Sequence, residues 1–230
     1  MVFFGTGELL TQGDLTNANT QSFYGIFDNT KDLASYATAY KPGAVPYTRS
    51  NLQAQTLSTT TVTIGGISES ALLSTNNPVN LSYVPTGTGS TTHNPVEGWY
   101  LDLSPIASGT RSYTNAQVES GGVVFTSDTP PPTACTQPAS YLLNLNYSTG
   151  GPFTSPSIGA PGGVAIGSAT AGGSSVTIVG VFVGAAYSAA PTTVRTGQGT
   201  NEQIISTANG LVPVPTIGNK ASHVSWWQIQ

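Results

Sequence analysis

Charge is what this sequence has least of. Of its 230 residues, 7% are Asp, Glu, Lys or Arg, against roughly 25% in ordinary soluble domains, so Ser, Thr, Asn and Gly are left to make the surface. The six Lys and Arg are scattered and the formal net charge is −4. No basic patch exists to neutralise phosphates, and no nucleic-acid partner is expected. Long apolar runs are missing too: the longest, 176–186, is cut by glycines and falls short of the roughly 20 residues of a membrane helix. It reads as a buried strand or a strand pair. The single cysteine, Cys135, cannot close an internal disulfide. It is either a structural thiol or, in an exported protein, a free thiol or one half of a bridge to sequence outside this chain. No basic segment followed by an apolar stretch opens the chain, so an export signal would lie upstream of Met1.

The chemistry-bearing residues are equally sparse. Two histidines, His93 and His223, with no HxxxH or CxxC pair, give no zinc pattern. His223 lies beside Trp226 and Trp227 in a strand-like run and reads as packed; His93 lies in a polar loop and reads as solvated. No GxSxG elbow supplies a nucleophile. The stretch Asp14-Leu15-Thr16-Asn17-Ala18-Asn19 has the start of a calcium loop, but Ala18 offers no oxygen at the alternate position where one is needed, and an Asx-rich turn explains it. Asp28 and Asp32 read as helix-start charges. Gly87-Thr88-Gly89 and Gly197-Gln198-Gly199 read as turns, lacking the third glycine of a phosphate loop. Asn80-Leu81-Ser82 and Asn146-Tyr147-Ser148 match the glycosylation acceptor pattern, which arises by chance in so Asn- and Ser-rich a chain. No catalytic, cofactor-binding or metal-binding residue is assigned, and no cofactor is expected.

What the chain does have is glycine, 27 of them, and 16 prolines, punctuating short alternating runs. Half-buried strands are predicted over 23–27, 59–64, 98–103, 122–126, 140–147, 175–184, 203–207 and 223–229. One helical stretch is predicted over 31–40, where Leu33, Tyr36, Ala37 and Tyr40 share a face and Pro42-Gly43 follows. Long loops at 86–95, 129–138 and 149–163 separate the strands. The fold class is therefore all-β. In Trp99-Tyr100 the side chains face opposite ways, one inward, while Tyr47 and Tyr83 are the candidates for an exposed aromatic platform of the kind that binds carbohydrate. The opening is distinctive: Val2-Phe3-Phe4 runs into Gly5-Thr6-Gly7, and Phe23-Tyr24-Gly25-Ile26-Phe27-Asp28 returns as a second strand. The chain is expected to begin inside a sheet, as a fragment of something larger.

Four ordered blocks carry a resemblance. Phe4-Gly5-Thr6-Gly7, Asp14-Leu15 and Gln21-Ser22-Phe23-Tyr24-Gly25-Ile26-Phe27-Asp28 are similar to the GTG, DL and Q-x-FYGIWD elements of the PilY/PilC family of type IV pilus tip adhesins and biogenesis factors, with Phe27 where the family often has Trp. Gly98-Trp99-Tyr100-Leu101-Asp102-Leu103 and Gly109-Thr110-Arg111 resemble its GWY-x-DL and G-E-R, with Thr110 in place of the acid. Gly122-Val123-Val124-Phe125-Thr126, Pro130, Cys135 and Ser140-Tyr141-Leu142 resemble its strand, proline-cysteine loop and strand. Ser225-Trp226-Trp227-Gln228-Ile229 is similar to a terminal SWRE-type strand, with Trp227 for arginine.

The resemblance implies that residues 1–230 are the C-terminal portion of a modified β-propeller, its last blades, with antiparallel sheets and long loops. It further implies an exported, pilus-associated protein of the cell surface or outer membrane, whose missing N-terminal part includes a von Willebrand A-like region. The implied role is support of pilus assembly and adhesion by binding alone, with pilins or minor pilins, host-surface ligands and that N-terminal part as partners. Two other classes compete with it. A quinone-cofactor dehydrogenase also uses a propeller with Trp-rich blades, though the lone Cys135 speaks against the paired cysteines common there; the other is a secreted glycan-binding β-domain. Open propeller edges would leave the fragment marginally stable or associating through them.

Overall fold

The computed structural model describes residues 1–27, 48–64, 67–79, 98–119, 121–131, 133, 135–153, 157–159, 165–171, 174–195, 201–207 and 210–217. Sixteen strands are described, together with a five-residue helix and a 3-10 turn at Arg49–Asn51. In chain order they are β1 (Val2–Gly5), α1 (Gln12–Thr16), β2 (Ser22–Ile26), β3 (Gln53–Gln55), β4 (Leu57–Ile64), β5 (Ile67–Ser74), β6 (Gly98–Asp102), β7 (Gln117–Glu119), β8 (Gly122–Thr129) and β9 (Ala139–Asn146). Then follow β10 (Ser157–Gly159), β11 (Ala165–Ala171), β12 (Ser174–Ile178), β13 (Gly180–Gly184), β14 (Thr192–Arg195), β15 (Asn201–Thr207) and β16 (Gly210–Ile217). The all-β expectation is borne out. The predicted helix at 31–40 and the predicted strand at 223–229 lie outside the described residues.

The strands form three sheets, ordered β1-β2-β6-β3, β4-β5-β13-β9-β8-β7 and β12-β11-β10-β16-β15-β14. The expected antiparallel sheets are borne out: every named pairing is antiparallel except that of the edge strand β3 with β6, which is parallel. The second sheet lies between the other two. On one face Val123, Phe125, Leu143 and Leu145 pack with Phe23, Trp99 and Leu101 of the first sheet; on the other, Val62, Val124, Leu142 and Val181 pack with Ile166, Ile178 and Ile205 of the third. The central strands of the middle sheet are covered on both faces, while Ser58, Thr59 and Thr61 of its edge strand β4 stay exposed. All eight residues of β8 are buried, as a strand covered on both sides requires.

Several elements escaped the alternation rule. The strand β5 is one, because Ala71 faces one core and Leu72 the other. The strand β16 carries Pro213 and Pro215, which argue against an interior strand. It tolerates them because β15 pairs with it over 210–215 while its register with β10 covers only Thr216 and Ile217, so the absent N–H groups cost no described ladder bond. The predicted run at 175–184 is divided at Val179: β12 belongs to the third sheet and β13 to the second. Val179 N–H donates to Leu72 O at 2.8 Å and Asn144 N–H to Val179 O at 2.8 Å. The chain changes layer without a loop.

Candidate functional site

The first two sequence blocks meet in the four-stranded sheet. Phe23 pairs with Leu101, Tyr24 with Tyr100 and Gly25 with Trp99, so the FYG and GWY tripeptides lie side by side. Trp99 is fully buried, and its Nε1 donates to Tyr147 O at 3.0 Å. A Cβ at Gly25 would lie 2.5 Å from Trp99 Cε2, and one at Gly150 would strike the other end of the indole. The two glycines are the slot that holds the tryptophan. Phe23 in turn stacks on Phe125 at 3.6 Å between ring centroids, tying the third block to the first two.

The opposite face of that sheet carries an aromatic ladder. Phe4 and Tyr24 stack at 5.2 Å, Tyr24 and Tyr100 approach at 6.1 Å, and the Arg49 guanidinium lies 4.0 Å from the Tyr100 ring centroid. Arg49 also pairs with Asp102 at 2.5 Å, which accepts from Ser22 Oγ. A cavity of about 250 Å³ opens beside Phe4, Tyr24, Ile26, Phe27, Arg49 and Leu52. Stacking takes up one face of each ring that a flat platform would need, while Phe4 remains 41% exposed. Tyr47 and Tyr83, the residues singled out as candidates for such a platform, lie outside the described residues.

Two buried ionisable side chains organise the other end of the sheet. Arg111, 1% exposed, donates through its guanidinium to Gly109 O at 2.9 Å, Glu8 O at 2.7 Å and Asn17 O at 2.8 Å. The arginine of the GTR triplet thus clamps both ends of the GTG-to-DL loop. Inside that loop Asp14 Oδ2 accepts from Leu10 N, Thr11 N and Thr11 Oγ1, and the Thr11 and Leu10 amides hold its pKa below the ordinary aspartate value. Of the segment read as an Asx-rich turn, Asp14 to Thr16 belong to the short helix α1, whose carboxylate folds back on its own N-terminus, and Asn17 Oδ1 accepts from Asn19 N at 2.9 Å as in an Asx turn. Thr110 bonds Thr129 through their hydroxyls at 2.6 Å. A polar cleft of about 320 Å³ is lined by Gly7, Glu8, Asp14, Asn17, Gln21 and Arg111.

Asp128, also 1% exposed, lies opposite Arg111 in a two-residue bridge. Its Oδ1 accepts from Ser188 N at 3.1 Å and Ser188 Oγ at 2.8 Å, and from Ser140 Oγ. Burial pushes its pKa up, against the pull of its bonds from Ser140, Tyr113 and Ser188. Tyr113 and Tyr187 are pushed up as well, first by burial and, for Tyr113, by its bond to Asp128. Sequence reasoning missed this cluster. Its only signal is an acid near the end of an otherwise uncharged strand.

The remaining candidates divide simply. His93, His223, Asp28, Asp32, Asn80 and the glycine turns at 87–89 and 197–199 lie outside the described residues. Asn146 Oδ1 accepts from Ser148 N at 2.9 Å and Ser148 Oγ at 2.7 Å, as in an Asx turn. Cys135 is exposed with a free thiol. Among the described residues no three His, Cys, Asp or Glu side chains converge as a metal site would need.

No protein-family profile matches the chain, and no curated protein matches it. The crystal structure of the Pseudomonas aeruginosa PilY1 C-terminal domain is similar to it, with a TM-score of 0.67 and 23% sequence identity, over 92% of this chain and 40% of that one. The chain therefore spans less than half the length of the solved domain. The likeness read from the four blocks holds at the level of architecture: three face-packed sheets carry the propeller-like fold of the PilY1 C-terminal domain.

Proposed function

We propose that this chain is a non-enzymatic binding module of a bacterial surface protein that serves type IV pili, supporting their assembly and the adhesion they mediate. The observation that carries the reading is the shared fold with the PilY1 C-terminal domain. It is supported by where the family-like blocks fall. Residues of the first two build one sheet and its clamp, Trp99 between Gly25 and Gly150 and Arg111 on Glu8, Gly109 and Asn17, so what is similar in sequence is what holds the scaffold. The loops and sheet edges are then the parts that differ and that would meet pilins, minor pilins or a host surface. In this reading the protein acts outside the cell, at the pilus.

The test is deletion of the gene in its source organism, with surface pili counted and attachment to host cells measured. Loss of pili or of attachment, restored by the intact gene, is the expected result. Normal piliation and normal attachment in the deletion strain would overturn the proposal.

A further inference from the structure

The Asp128 cluster is one proton short if its carboxyl is ionised. Ser140 Oγ makes hydrogen-bond contacts with both Asp128 Oδ1 and Ala186 O, yet a serine hydroxyl has a single proton to give. With Asp128 ionised, a Ser140 proton given to the carboxylate leaves Ala186 O without the hydroxyl's donor, and one given to Ala186 O turns a hydroxyl lone pair on the carboxylate, which then keeps only its Ser188 and Tyr113 donors; either arrangement is costly for buried groups. With Asp128 protonated, the carboxylic acid donates to Ser140 Oγ, Ser140 donates to Ala186 O, and both contacts of the serine are hydrogen bonds. Ser188 N and Oγ and the Tyr113 phenol complete the shell.

Among the described residues no cation is paired with Asp128. The titratable and charged groups facing Asp128 are Tyr113, Tyr187 and Arg111; the phenols stay protonated, and the Arg111 guanidinium is committed to three carbonyls elsewhere. The residues held by the cluster are also particular. Ala186 and Ser188 belong to the connector from β13 in the middle sheet to β14 in the third, and Ser188 bridges Thr207 of β15.

We propose that Asp128 is a proton-held latch: protonated, it passes a hydrogen-bond relay through Ser140 to Ala186 and fastens the connector between two sheets, and ionisation loosens that connector. The sign of the pH effect follows. Burial raises the carboxyl above its ordinary value of 3.8, so the folded chain holds this proton more tightly than the unfolded chain. The stabilisation is complete below the ordinary value and is lost as pH rises through the raised folded one. This is the reverse of a salt-bridged aspartate.

The experiment compares wild type with Asp128→Asn, whose amide donates to Ser140 without titrating, measuring the unfolding midpoint and the exchange of the 186–188 amides from below pH 3.8 to neutrality. The expected result is a wild-type midpoint that falls relative to the variant as pH rises, with exchange at 186–188 accelerating beyond its intrinsic pH dependence in wild type alone. A flat difference curve, or one that rises with pH, overturns the latch. Ser140→Ala cuts the relay and is expected to expose the same amides at every pH; unchanged protection in that variant also overturns it. Should Asp128→Asn fail to fold, an infrared titration of wild type decides: a carboxylic-acid carbonyl band must persist after exposed carboxylates have ionised, and its absence refutes the proposal.

Discussion

Arg111 and Asp128 are hydrogen bonded to each other through their backbones, Arg111 N to Asp128 O at 3.0 Å and Asp128 N to Arg111 O at 2.8 Å, yet no ion pair joins their side chains. Each instead commits its polar atoms to a different layer boundary. Arg111 gathers carbonyl oxygens of the GTG loop around a group that never loses its proton; Asp128 gathers hydroxyls and an amide around a group that does. The difference shows how a base and an acid side by side fasten two separate contacts: the permanent cation holds the loop next to the first sheet, and the titratable acid holds the connector to the third.

The comparison breaks first at Arg111. Arg111→Ala strips three buried carbonyls of their donor and is expected to cost roughly 3 kcal/mol or more, read by urea unfolding, with protection lost over 8–17. Arg111→Lys recovers a part of that at most, since an ammonium has no planar fork to span three acceptors; full recovery would mean that charge, not geometry, matters. Gly25→Ala forces a methyl against Trp99 and is expected to cost about 1–3 kcal/mol and to shift Trp99 fluorescence, while leaving exchange at 186–188 unchanged. A Ser188→Ala change removes one hydroxyl donor from Asp128, with an expected loss of about 1 kcal/mol that leaves protection of 8–17 untouched. Smallest is Arg49→Ala: the half-exposed pair with Asp102 is worth about 0–1 kcal/mol, and a larger loss would show that the stack on Tyr100 carries the aromatic ladder.

The sequence was most legible where one residue has few substitutes. Trp99 needs Gly25 and Gly150, and Arg111 needs the carbonyls of Glu8, Gly109 and Asn17, so these residues stand out as motifs even without partners in view. Alternation marked β2 and β6, the strands with one dry and one half-exposed face. It failed for β5, whose two faces meet different cores, and for β16, where proline reads as a breaker until one sees that the neighbouring strand stops short. The helix α1 was hidden because Asp14, the residue that suggests a turn, is also the one that caps it. Asp128 could not be found from sequence at all, since its donors come from residues 12 and 60 positions away.

The layer change at Val179 has a mechanical meaning. A pull along β12 reaches β13 through one residue whose N–H and C=O are each bonded into the middle sheet, to Leu72 and Asn144. With no slack to take up, such a load arrives as shear across several strand bonds at once, and the third sheet cannot be peeled away through that link one bond at a time.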